Sequence, residues 1–422
     1  MSSYGVLMKG AMAVILAGLL VLSLPAMAVS AVDGESDGTD EIVFETDEPD
    51  QGATFVEANG TTNRLGPGED RRSERIEHGS GLGTSLMAAD DELRVDYEQE
   101  TLVRSGFDNA TDEEREEMVR AGYDRLQERT DELEDRERTA VRAHAADDRS
   151  TTELLQTLSR NYHESDTIER ALDDLVAYAN EIPGYSLSTR DDARKLEMHR
   201  SDVRSELETT TSQSGADRKS LAVRTAETGY TLSLLDRNYL RETTRFDSRN
   251  TTQPNQFEDI TDAHGTAQEL YPWVFEADHE SHSSDAVESR TGQLYRIQAI
   301  HDQGQLTAYL DGGTGSAYRE VQTLDHRQLP TINNSQWNDD GLVLSINETA
   351  ADGPAEVVVT DAETGASEPA TVSIDDEEVG ETGSNGSLWL LPPDGDYDLR
   401  AETDDGSIEG TVSSSDAPSD GE

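Results

Sequence analysis

The chain of 422 residues contains no cysteine. That excludes disulfides, thiol nucleophiles, cysteine-ligated zinc and a cysteine-linked lipid anchor, so its domains rest on packing alone. Lysine is nearly absent too: Lys9, Lys195 and Lys219 are the only three, and arginine carries the remaining positive charge. Aromatic residues make up 5% and hydrophobic residues 33%, low for a folded protein. With 89 acidic against 34 basic residues the formal net charge is -55. Phosphate backbones repel such a polyanion, so nucleic acid is excluded as a partner. The composition fits either extensive disorder or a carboxylate surface suited to high salt, where charge is screened within about 3 Å at ~1 M. The periodic segments below favour salt adaptation for most of the chain.

Long apolar runs are also missing beyond the N-terminus. There, Lys9 precedes an apolar run over residues 11–24 and the small-residue stretch Pro25-Ala26-Met27-Ala28. Residues 1–31 read as a signal peptide for the general secretory route, with cleavage after Ala28 or Ala31. Left uncleaved, residues 11–32 would instead anchor the chain in a membrane. Residues 32–89, rich in Asp, Glu, Gly and Thr, read as an acidic flexible linker in which Ile42-Val43-Phe44 fits one strand.

Residues 90–213 read as a helical bundle. Thr111-Asp112-Glu113-Glu114 and Ser150-Thr151-Thr152-Glu153 are capping boxes. Val119, Leu126, Leu133 and Ala140 recur at heptad spacing. A second helix carries Leu154, Leu155 and Leu158; a third carries Ile168, Leu172 and Leu175 and ends at Pro183-Gly184; a fourth carries Ala193, Leu196, Val203 and Leu207.

The chain is organised around residues 292–330. Three short runs rich in Tyr, Ile, Val and Thr alternate with Gly-containing turns, the pattern of an antiparallel meander. Asp311-Gly312 predicts a tight hairpin turn. This meander anchors an α+β domain over residues 214–335. Leu221, Val223 and Thr225 alternate with polar residues, as do Tyr230, Leu232 and Leu234, which fits a hairpin or a fifth helix through Tyr239. Residues 257–275 read as a helix with Ile260, Ala263, Ala267 and Leu270 inward. The following Tyr271-Pro272-Trp273-Val274-Phe275 reads as a core plug beneath the meander.

Residues 336–413 read as a β-sandwich, with strands at 342–347, 356–360, 370–374, 387–391, 397–402 and 408–412, and residues 414–422 as a disordered tail. The fold class is therefore α+β multidomain: N-terminal helical bundle, central α+β unit with antiparallel meander, and C-terminal β-sandwich. Within the last, Asp361-Ala362-Glu363-Thr364-Gly365, Pro369 to Ile374, Asn385-Gly386-Ser387-Leu388-Trp389 and Pro393-Asp394-Gly395-Asp396-Tyr397 resemble a carboxypeptidase regulatory-like, transthyretin-like module. The resemblance covers about sixty residues and implies an accessory adhesive or spacer domain with no catalytic residues. The whole layout, with Gly229-Tyr230-Thr231-Leu232 and the stretch Gly304 to Thr314, resembles secreted and envelope proteins of halophilic archaea to which no activity is assigned. That likeness implies an extracellular or envelope setting.

Candidate chemistry is sparse. His279 and His282, beside Asp278 and Glu280, offer metal-ligand types, but their spacing is not the helical His-Glu-x-x-His of metalloproteases and they read as a solvated loop. The acidic turns Asp339-Asp340-Gly341, Asp375-Asp376 and Asp404-Asp405-Gly406 lack the EF-hand pattern. No cofactor is expected. Asn59, Asn109, Asn250, Asn333, Asn347 and Asn385 head Asn-x-Ser/Thr sequons and are the glycosylation candidates. The sequence predicts an exported, salt-adapted, non-enzymatic protein that binds or scaffolds through its β-sandwich, with surface-layer or other envelope proteins or glycans as partners. The alternatives are an extracellular hydrolase built around the aromatic patch of residues 271–275 with His279 and His282, and an accessory or assembly factor anchored through residues 11–32.

Overall fold

The computed structural model describes residues 55–69, 71–78, 82–212, 219–276, 283–289, 293–404 and 406–413. Three short strands come first: β1 (Phe55–Val56), β2 (Arg64–Leu65) and β3 (Arg72–His78). Helix α1 (Leu82–Gln99) follows and runs through a π-helical turn (Glu100–Arg104) into α2 (Ser105–Phe107). These elements correct the reading of residues 55–89 as linker. Their charged composition hid them: β3 reads Arg-Ser-Glu-Arg-Ile-Glu-His yet pairs along its whole length with a neighbouring strand.

Helices α3 (Asp112–Ala145) and α4 (Thr151–Asn180) start at the two capping boxes, and α4 joins the expected second and third helices into one. Thr111 Oγ1 accepts from the Glu114 amide at 3.4 Å while Glu114 accepts from the Thr111 amide at 2.8 Å. Ser150 and Glu153 repeat the exchange. The expected fourth helix is two, α5 (Arg190–Glu197) and α6 (Asp202–Ser212). The break has a local cause: Ser201 Oγ accepts from the Arg204 amide at 3.3 Å and starts a new helix, while the Met198 carbonyl is taken by Arg319.

The long helices divide between two cores. Val119, Leu126 and Leu133 of α3 meet Ile168, Leu172 and Leu175 of α4, with Val95 of α1 and Leu196 of α5. Nearer the α3–α4 turn, Ala140, Val141, Leu154, Leu155 and Leu158 lie on a β-sheet instead, against Leu221, Leu232 and Tyr318.

That sheet gathers β3, β4 (Lys219–Ala226), β5 (Gly229–Leu235), β6 (Tyr239–Arg245), β7 (Ser283–Ser289), β8 (Leu294–His301), β9 (Gly304–Asp311) and β10 (Ser316–Leu324). Its order is β3-β4-β5-β6-β10-β9-β8-β7, antiparallel throughout. Residues 219–245 are thus strands, not a fifth helix. The meander forms as β8-β9-β10, and Asp311 closes its second turn by accepting from the Thr314 amide at 3.0 Å. The other sheet face is covered by α7 (Ile260–Leu270) and α8 (Pro272–Phe275), a break in the single helix expected there. Tyr271 and Val274 are fully buried against Ala299, Leu306 and Ala308. Because both faces are covered, β5 and β6 are buried almost throughout despite the polar sequence Tyr-Leu-Arg-Glu-Thr-Thr-Arg of β6.

The C-terminal module is a β-sandwich of two four-stranded sheets. One holds β11 (Thr331–Asp339), β12 (Leu342–Thr349), β13 (Ala355–Asp361) and β16 (Ser387–Leu390). The other holds β14 (Thr371–Ile374), β15 (Glu377–Glu381), β17 (Tyr397–Glu402) and β18 (Ser407–Val412). Alternating residues, among them Leu344, Ile346, Val357, Val359, Val372 and Leu399, fill the space between. Strands β11 and β15 escaped the sequence reading because their polar runs bury little. Among the described residues no helix is long and apolar enough to cross a membrane.

Candidate functional site at the module junction

The sandwich is clasped to the central sheet rather than tethered to it. Arg64 leaves β2 fully buried, stacks on the Tyr239 ring at 5.3 Å and donates to the Ala351 carbonyl at 2.6 Å. Ala351 and Asp352 form the β12–β13 turn with φ of 56° and 53°, a left-handed backbone that non-glycine residues rarely adopt. The next residue must be glycine: a Cβ on Gly353 would meet Thr349 Oγ1 at 2.2 Å. From β4, Arg224 donates through Nε to both oxygens of Asp394 at 2.9 and 3.1 Å and lies 3.9 Å from Asp352. Arg71 lies 3.7 Å from Asp352 and 3.6 Å from Asp394. Beneath the ion pairs, Leu391 of the module joins Ala222, Tyr239, Leu324 and Leu329 in an apolar cluster. The Trp389 ring meets His326 edge-on at 4.8 Å.

Burial works to raise the Asp394 carboxyl, but hydrogen bonding and charge from Arg224 and the charge of Arg71 hold it below the ordinary range. Burial likewise opposes the charged form of Arg224, and Asp394 outweighs it. Both groups are therefore ionised and matched. A cavity of about 130 Å³ remains at the junction, with Arg71, Asn333, Asp352, Asp394 and Tyr397 in its walls. The paired charges of Arg71, Arg224, Asp352 and Asp394 fix the two modules in register.

A second charged cluster ties helices to sheet. A bulge in β10 between Ala317 and Arg319 turns both Tyr318 and Arg319 to the helical side. Arg319 reaches Glu137 of α3 at 2.5 Å and Thr244 Oγ1 at 2.8 Å. Arg204 of α6 reaches Glu137 at 2.8 Å and Glu242 of β6 at 2.9 Å. The Tyr230 hydroxyl donates to Glu137 at 2.9 Å, and His199 Nδ1 lies 3.2 Å from the same carboxylate. Burial raises the Glu137 carboxyl, but the charges of Arg204 and Arg319 overturn that and keep it well below the usual range. These side chains are buried, with Arg204, Glu242 and Tyr230 fully enclosed, so the cluster is an internal brace.

Three family models match the chain. A domain of unknown function, DUF7096, matches residues 8–218, half of the chain. The chain belongs to the DUF7096 family. DUF7094, a family of unknown function, matches residues 221–330, and an archaeal fibronectin-III type-like domain matches residues 333–410. No curated protein and no solved structure matches. The sandwich is thus fibronectin-III-like, which replaces the carboxypeptidase regulatory-like resemblance. In structural terms DUF7096 and DUF7094 are not separable: β3 of the first pairs with β4 of the second, and helices of the first complete the core of the second.

The junction brings together none of the residues singled out from the sequence except Asn333. His279 and His282 lie outside the described residues. Among the described residues no group of three His, Asp or Glu is placed to hold a metal ion. Asp340 instead accepts from the Ser407 amide at 3.3 Å, and Asp375 from the Asp398 amide at 2.9 Å, so these acidic turns brace loops. The clasp residues Arg64, Arg71, Arg224, Asp352 and Asp394 were missed. Asp352 and Asp394 lie in turns, and no local pattern in the sequence pairs a turn aspartate with an arginine 170 residues away.

Proposed function

We propose that this DUF7096-family chain is an exported, salt-adapted, non-enzymatic protein of the archaeal cell envelope. It holds its fibronectin-III-like module outward for contact with surface-layer proteins, other envelope proteins or glycans. One observation carries the reading: the module is fixed by the Arg64, Arg71 and Arg224 clasp, so a partner binding it is coupled to the whole DUF7096–DUF7094 body. A swinging domain would lose ordering entropy on each contact; a fixed one does not. The signal-like residues 1–31 and the net charge of -55 support the setting, since a carboxylate surface stays soluble where salt screens self-repulsion.

The test compares the full chain with a chain lacking residues 331–413, both produced in an archaeal host grown in high salt. Retention on isolated cell envelopes is measured for each. The proposal expects the full chain to be retained and the shortened chain to be released. Equal retention of both would move the contact to the N-terminal part and overturn the role given to the module.

A further inference from the structure

The six sequons all fall within the described residues, and the fold divides them. Asn59 lies between β1 and β2, Asn109 between α2 and α3, and Asn385 between β15 and β16; all three are exposed. Among the described residues none of their side-chain nitrogens donates a hydrogen bond; Asn385 uses only its oxygen, accepting from the Ser387 amide at 3.4 Å.

Asn333 and Asn347 sit within paired strands instead. Asn333 Nδ2 donates to Glu348 at 3.3 Å, and Asn347 Nδ2 to Glu356 at 3.4 Å. Asn347 Oδ1 accepts from Asn334 at 2.6 Å, so both ends of its amide are engaged. Asn333 also lines the junction cavity, where a sugar ring would collide with the clasp. Asn250 is half-buried in a cleft walled by Arg138 and Arg249, and its oxygen accepts from the Thr252 amide at 3.1 Å and hydroxyl at 2.7 Å.

We propose that Asn59, Asn109 and Asn385 are the N-glycosylation sites of this protein and that Asn250, Asn333 and Asn347 stay unmodified. Transfer from a phosphate-linked glycosyl donor forms the bond from Asn Nδ2 to the sugar C1 and breaks the C1–O bond to phosphate. The amide proton leaves and the phosphate departs with the bonding pair. The acceptor nitrogen must be reachable and unengaged, and the three exposed turns meet that condition. The selected sites also fall one in each segment: ahead of the central sheet, on the helical region and on the sandwich. This inference rests on the proposed export.

Intact glycopeptide mass spectrometry of the full chain from an archaeal host tests it. Asn59, Asn109 and Asn385 are expected to carry glycan. Each of N59Q, N109Q and N385Q should remove one glycan mass, while N333Q and N347Q should remove none. A glycan on Asn250, Asn333 or Asn347, or bare exposed sites in chain recovered outside the cell, overturns the assignment. The full chain placed behind a second, proven export signal separates the two readings. Glycan at the three sites only in that form keeps the assignment and removes native export. Bare sites in that form, beside modified host proteins, remove the assignment itself.

Discussion

Arg224 and Asp394 meet as a forked ion pair across 170 residues of chain, with Nε 2.9 and 3.1 Å from the two carboxylate oxygens. The Arg224 side chain is 6% exposed and that of Asp394 25%, so neither charge is freely solvated. Removing one partner leaves the other charge in a poor solvent. Arg224→Ala is therefore expected to destabilise the junction by roughly 2–3 kcal/mol. Calorimetry should then resolve two unfolding transitions, with protease cutting near residue 330 before the sandwich core opens. A single unchanged transition would show that the apolar cluster around Leu391 holds the junction alone.

Acid should weaken the fold in two stages. Burial lowers His144, His199 and His326 below the ordinary 6.5, against the pull of Glu137 in the case of His199. A depressed histidine contributes stability above its unfolded value and loses it as pH falls, because the unfolded chain binds the proton more readily. The first decline thus begins below about pH 6.5. Glu137, Glu242 and Asp394 are also depressed, from ordinary values of 4.5, 4.5 and 3.8. Burial opposes these shifts and arginine charge overcomes it, so the second decline comes as pH falls below those values. Unfolding midpoints measured at fixed high salt from about pH 8 to pH 3 check both stages.

The central sheet should not fold as the DUF7094 segment alone. A fragment of residues 219–330 loses β3 as the partner of β4 and exposes Leu221, Leu232 and Tyr230, which pack on α3, α4 and α6. It also strands Glu242 and Arg319 without Glu137 and Arg204. Expression should yield aggregate, whereas residues 55–330 should give a soluble, cooperatively unfolding protein. Soluble folded 219–330 would contradict the shared core.

Inside the sandwich, Gly410 lies against the Trp337 indole, and a Cβ there would fall 2.1 Å from the ring. Gly410→Ala should cost about 1–3 kcal/mol through overpacking. Adding Trp337→Ala should recover part of that loss, a coupling readable in a double-mutant cycle. Additive costs would contradict the contact.

Much of this architecture is local and therefore legible. The Thr111 and Ser150 caps, the heptads of α3, the meander and most sandwich strands announce themselves through spacing. The misses share a cause. Strand β3 and helix α1 are charged, and their folding depends on partners far along the chain, Lys219–Ala226 for β3 and α4 for α1. Strand β6 looks polar but is buried, because Glu242 and Arg241 find their counter-ions in Arg204 and Glu320. The bulge that turns Arg319 to Glu137 has no sequence mark. In a chain this acidic, a carboxylate bound for the interior looks like every other one.

Protease shaving of intact cells in high salt, followed by identification of released peptides and of the mature N-terminus, tests the outward presentation of the module most directly. Peptides from residues 331–413 are expected in the released fraction, with a chain beginning after Ala28 or Ala31. A chain found only after lysis, still carrying residues 1–31, would contradict it.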